Sequence, residues 1–137
     1  MIMKNIDLFH IGDNFNCLFV VTEDVYLHFQ EMTGDKNPLH VDTDFAQRKG
    51  FKKRVMYGNI LNGYISYFIG MGLPSKDVML ISQSINWKKP VYMDDQVNLE
   101  AKVSEVSEAV GIVEFKYKFR KKDNVLVASG NIQIKVF

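Results

Sequence analysis

YGNILNGYISYFIGMGL, residues 57–73, is the stretch on which the fold turns. Ile60, Leu61, Tyr64, Ile65, Phe68 and Ile69 recur at helical spacing and cover most of a helix's circumference. A helix apolar nearly all round has to be wrapped by something. The lipid bilayer is excluded, because the run from Ile65 to Leu73 is far below the roughly 20 apolar residues a span requires and Asn59 and Asn62 interrupt it upstream. The covering surface must come from the chain itself.

The sequence downstream supplies that surface as antiparallel sheet. Val113, Phe115, Tyr117 and Phe119 alternate with Glu114, Lys116, Lys118 and Arg120, the period of two expected of a strand with one buried and one wet face. Val97, Leu99, Ala101 and Val103 alternate with Asn98, Glu100, Lys102 and Ser104 in the same way, and residues 107–111 turn the chain between the two strands. A third run from Val125 changes phase before Ile132, Ile134 and Val136, which predicts a bulge at Gly130. Val78 to Trp87 reads as one further strand, with Pro90 just beyond its end. The expected result is a four-to-five-stranded sheet whose concave face holds the 57–73 helix.

Upstream the chain reads as helical. Thr22 can cap a helix carrying the stripe Val25, His28, Phe29 and Met32, which Gly34 stops. Asp42 can cap a short second helix ending at Gly50, with Arg48 and Lys49 at its carbonyl end. Cys17, beside Leu18, Phe19 and Val20, reads as buried strand rather than nucleophile.

Length and composition bound the function. At 137 residues, 47% apolar and 24% charged, the chain fits one α+β domain spanning 1–137, with neither disorder nor a second cofactor-binding lobe. Seventeen basic and sixteen acidic residues leave +1, which gives no global attraction for nucleic acid. One cysteine and an opening MIMKNIDLFHIGD without an uninterrupted apolar core point to the cytoplasm. No histidine spacing suits a metal motif, and no phosphate loop or nucleophile elbow is present.

The candidate chemistry lies in MTGDKNPLHVD, residues 32–42. Gly34 permits unusual backbone geometry, and Pro38 fixes its own φ and biases Asn37 away from helix, so residues 35–40 read as a stiff loop. An aspartate and a histidine on one rigid connection, Asp35 and His40, can share one water as general base and acid. The same residue types also build ordinary turns, with Asp35 and Asn37 capping and His40 packed beneath, and on residue types alone that reading is the stronger.

Residues 33–42, TGDKNPLHVD, resemble the signature of the MaoC-like, (R)-specific enoyl-CoA hydratases. The resemblance extends over about residues 11–137: Ala46 after the histidine, Val55-Met56-Tyr57-Gly58 opening the central helix, Gly72-Leu73-Pro74 closing it, and the stretch from Trp87 to Asp95. It implies a hotdog fold, a long antiparallel sheet wrapped around one helix, with Asp35 and His40 as the catalytic pair. The Gly58 amide would donate to the thioester oxygen, at a helix start where amides lack partners. Asn37 and Tyr57 complete the implied oxyanion and substrate-binding set, Asn37 holding the loop or bonding His40.

The implied activity is reversible syn addition of water to a trans-2-enoyl thioester carried on coenzyme A or acyl carrier protein, with no metal or further cofactor. A homodimer or higher homo-oligomer, without nucleic acid or membrane partners, is expected by the same resemblance. The rival readings are a thioesterase on the same fold and a noncatalytic acyl-thioester-binding subunit. Three departures stand out: Asn59 where the family carries an apolar residue, the extra amide of Asn62, and Asp94 in place of the glycine before Asp95. The two amides suggest a polar acyl group or a solvated helix end. Arg48, Lys49, Lys52, Lys53 and Arg54 form a basic run that suits either phosphates or plain solvation.

Overall fold

A computed structural model describes residues 2–137. The chain runs β1 (Asn14–Val20), α1 (Glu23–Thr33), α2 (Pro38–Val41), α3 (Thr43–Arg48), α4 (Ile60–Met71), β2 (Val78–Gln83), β3 (Asn86–Trp87), β4 (Gln96–Ser107), β5 (Ile112–Lys121) and β6 (Val125–Val136). The strands form one six-stranded sheet in the order β1-β4-β5-β6-β2, with β3 also paired to β6 and every pairing antiparallel. This is the α+β arrangement of a long sheet around a central helix.

The period-two reading of the long strands holds residue by residue. Val97, Leu99, Ala101 and Val103 on β4 and Val113, Phe115, Tyr117 and Phe119 on β5 are all buried. Ile60, Leu61, Ile65, Phe68 and Ile69 of α4 meet them. Phe115 anchors that contact, its ring 5.7 Å from Phe68, 6.0 Å from Phe15 and 6.5 Å from Phe9. The helix is shorter than residues 57–73, and it is covered on one side only: Tyr67 and Met71 remain 55% and 59% exposed.

Three further details differ from the sequence reading. The phase change in β6 falls at Val127, where Phe119 pairs with Ala128 but Arg120 pairs with Leu126, so Val127 and Ala128 are both buried. Gly130 pairs in register with Tyr117, and its missing side chain instead admits the Ser84 backbone, which lies where a Cβ would stand. That crossing also splits the expected strand from Val78 to Trp87 into β2 and β3, with Ser84 bonded to Asn131 at the break. Cys17 lies on β1 half-buried, and burial raises its thiol pKa.

Candidate active site

Local sequence chemistry sets the frame of the site. Thr22 Oγ1 accepts from the Val25 amide at 3.2 Å to start α1, and Gly34, at φ 71°, ends it with its amide on the Gln30 carbonyl. Asp35 follows on an exposed loop, its amide on Thr33 Oγ1 at 3.1 Å and its Oδ1 accepting from the Asn37 amide at 2.9 Å. Asn37 Oδ1 then accepts from the Leu39 amide at 3.0 Å, and with Pro38 in the first turn it starts α2. His40 therefore rides on a helical turn rather than on the loop expected for residues 35–40. Asp42 caps α3 through the Phe45 amide at 3.1 Å.

His40 is half-buried and held from two directions. Its Nδ1 lies 2.8 Å from the Val55 carbonyl, which can only accept, so the Nδ1 proton is donated there and the free lone pair of the neutral ring sits on Nε2. The imidazole stacks on Tyr57, with centroids 4.3 Å apart and planes at 28°. Tyr26 donates its hydroxyl to the His40 carbonyl and also lies 3.0 Å from the Val55 carbonyl. Burial is the first cause that pushes the Tyr26 phenol up to about 12; neighbouring Tyr57 and Asp35 raise it further, and Arg54, whose guanidinium lies 5.5 Å over the ring, opposes them.

His40 and Gly58 share one cavity of about 330 Å³, with Phe51, Leu61, Trp87 and Lys88 among its walls. Trp87 donates Nε1–H to the Gly58 carbonyl at 3.0 Å, and a Cβ on Gly58 would stand 2.9 Å from that nitrogen, so residue 58 must lack a side chain for the indole to lie there. The Gly58 carbonyl also accepts from the Leu61 amide at the start of α4, whereas the Gly58 amide donates to no protein acceptor among the described residues. A histidine lone pair and a free helix-start amide at one cavity can remove a proton and receive developing negative charge.

The other sequence candidates stand apart from the cavity wall. Asp35 is exposed and is not among the lining residues. Asn37 serves as the cap of α2, with its side chain on Leu39 rather than on His40. Tyr57 is buried behind His40 and donates its hydroxyl to the Asp35 carbonyl at 2.5 Å. Tyr26 and Gln30 are not singled out by the sequence, and Val55 is quoted there only as part of the segment 55–58, because their roles are bonds to distant groups, which no local pattern announces.

The departures acquire physical reasons. Asp94 has φ 71°, a conformation that suits glycine and that aspartate tolerates. Asn62 donates to Asn59 Oδ1 at 2.7 Å and accepts from Gln83, so these amides satisfy one another and leave the suggestion of a polar acyl group without support. In the basic run, Arg48 and Lys49 lie over Phe45 and Arg54 over Tyr26, and all five side chains but the half-buried Arg54 are exposed. A larger cavity of about 710 Å³ shares no residue with the His40 cavity, and four of its charged residues are paired, Arg120 with Glu100 and Lys121 with Asp95. Among the described residues no three His, Cys, Asp or Glu side chains gather as metal ligands, and no helix is long and apolar enough to cross a membrane.

Comparison with known proteins agrees with this frame. The chain is 38% identical over 78 residues to a 3-hydroxybutyryl-CoA dehydratase of Methylorubrum extorquens, covering 57% of this chain and 50% of that protein. It is 29% identical over 108 residues to an (R)-specific enoyl-CoA hydratase of Aeromonas caviae, covering 79% of this chain and 81% of that one. The solved structure of the (R)-hydratase from A. caviae involved in PHA biosynthesis superposes with a TM-score of 0.87 at 25% identity, over 94% of this chain and 98% of the other. The profile of the MaoC like domain matches residues 15–124, from β1 to the turn before β6, and the chain belongs to that family.

Proposed function

We propose that this protein is a hydro-lyase, an (R)-specific enoyl-CoA hydratase acting reversibly as a 3-hydroxyacyl-thioester dehydratase. The observation that carries the reading is that His40 and Gly58, whose amide has no protein acceptor among the described residues, line one cavity. The relatives named as hydratase and dehydratase support it.

In this mechanism His40, on the cavity wall, and Asp35, on the exposed loop that Tyr57 ties behind His40, hold one water. Its oxygen attacks the β-carbon of the trans-2-enoyl thioester as the pair takes its proton. The π electrons move towards the thioester carbonyl, whose oxygen gains charge against the Gly58 amide. Protonation of the α-carbon from the same face completes a syn addition, and the reverse steps expel water. The role of base is assigned to Asp35 and His40 together. Lys88 and Lys89, both at the cavity, suit the phosphates of a coenzyme A or carrier-protein arm.

A homodimer accompanies this reading. The edge strand β2 leaves Met79, Leu80 and Ile81 exposed, and α4 leaves Tyr67 and Met71 exposed, an apolar surface that a second copy would cover. A cytoplasmic setting is part of the proposal, resting on the single cysteine.

The test is to mix the purified chain with crotonyl-CoA, longer enoyl-CoAs and carrier-linked enoyl substrates while following enoyl-thioester absorbance and free thiol together. Loss of absorbance without thiol is expected. Thiol release would make the protein a thioesterase, and binding without turnover would make it a noncatalytic subunit.

A further inference from the structure

The Asp35 loop is exposed, and its other bonds are local: Asp35 to Thr33, Asn37 to Asp35, and Leu39 to Asn37. Among the described residues the one bond from a distant part of the chain to Asp35 is the Tyr57 hydroxyl on its carbonyl, at 2.5 Å. That hydroxyl is itself oriented. Gln30 Nε2, on α1, donates to it at 3.1 Å, so its own proton is directed to Asp35.

The same ring is the platform for His40. The imidazole lies 4.3 Å from the Tyr57 centroid, while its Nδ1–H on Val55 fixes rotation within that plane. Phe29 and Tyr26, each with its centroid 4.9 Å from that of Tyr57, pack against the platform in turn. A phenylalanine would fill this buried position without a hydroxyl to satisfy, so the hydroxyl needs a reason beyond filling the core.

We propose that Tyr57 is a positioning residue that sets the register between Asp35 and His40, its hydroxyl tethering the aspartate loop and its ring fixing the imidazole plane. The claim rests on the assignment of Asp35 and His40 as the working pair. It gives Tyr57 a role behind that pair rather than against the substrate. Gln30 enters as the group that aims the hydroxyl.

The test compares Tyr57→Phe, Tyr57→Leu and Gln30→Leu with Asp35→Asn and His40→Ala in the full chain, reading kcat and KM for enoyl-thioester hydration. Tyr57→Phe is expected to lower kcat about tenfold with KM held within about twofold, because binding is kept while the near-attack geometry is loosened. Gln30→Leu should follow it in the same direction, and Tyr57→Leu, which removes the platform as well, should lower kcat about a hundredfold. In NMR spectra the ring-current shift of the His40 ring protons should persist in Tyr57→Phe and disappear in Tyr57→Leu. Wild-type kcat in Tyr57→Phe, with Asp35→Asn and His40→Ala inactive, would overturn the positioning role alone, even if thermal stability fell. Near-normal turnover in Asp35→Asn or His40→Ala would instead remove the pair on which the role rests.

Discussion

Replacing Gly58 by alanine tests the site's geometry through a single methyl group. The added Cβ would stand 2.9 Å from Trp87 Nε1 and 3.2 Å from its Cε2. Restoring ordinary contact moves the indole by about 0.5 Å, which stretches its 3.0 Å bond to the Gly58 carbonyl past useful length. Losing that bond costs about 0.5–1.5 kcal/mol, and half-exposed Trp87 falls at the low end because water replaces it. Gly58 is not among the glycines with positive φ, so alanine restrains the unfolded chain and returns about 0.4–1 kcal/mol. The two effects nearly cancel, and the melting temperature should stay within about 4 °C of wild type. Trp87 is the single tryptophan, so its fluorescence reports the displacement directly. The emission should change, and hydration turnover should fall about tenfold as the cavity shared with His40 is rearranged. Unchanged emission with unchanged turnover would refute the reasoning, as would a collapse in stability of more than about 10 °C.

Other outcomes test separate parts of the structure. Phe115→Ala, at a fully buried ring between α4 and the sheet, should cost about 3–5 kcal/mol in denaturant unfolding, and a loss under about 1 kcal/mol would place that ring outside the core. Asn37→Ala removes the cap of α2 and should cost about 1 kcal/mol with lowered turnover, while Asn37→Asp, which keeps an accepting oxygen, should recover most of the stability. Burial pushes Tyr26, Tyr64 and Tyr117 up to about 12, against about 10 for an exposed phenol. The fold thus binds these protons more tightly than the unfolded chain, so their contribution is whole below about pH 10 and is lost as pH rises towards 12. Urea midpoints should fall across that window, and less steeply in Tyr64→Phe; a flat profile would contradict the burial of these hydroxyls.

Much of the fold was legible because its signals are local. The alternation of β4 and β5, the Thr22 and Asp42 caps and the Gly34 stop each depend on a few neighbouring residues, and the structure reproduces them. The bulge was misplaced because apolar parity locates a phase change only to within a few residues. The pairing partner decides between Val127 and Gly130, and a chain crossing above claims the glycine for another purpose. The α2 turn was hidden because Asn37-Pro38 is both a turn signal and a helix start, and four residues give no periodicity.

The site divides in the same way. Asp35, His40 and Gly58 stand out through the resemblance of residues 33–42 and 55–58. The carbonyl contacts of Tyr26 and Tyr57 depend on segments far apart in sequence, and a buried tyrosine announces a need for partners without naming them. The exposure of Asp35 belongs to the folded chain and has no local signature.

The central claim is that Asp35 and His40 act on one water. It is tested most directly by hydration turnover of Asp35→Asn, His40→Ala and the double variant, measured side by side on folded protein. Each single change should lower turnover by about 10² or more, and the double should be no worse than the more damaging single, because groups that serve one step fail together. Near-normal turnover in either single, or losses that multiply in the double, would contradict it.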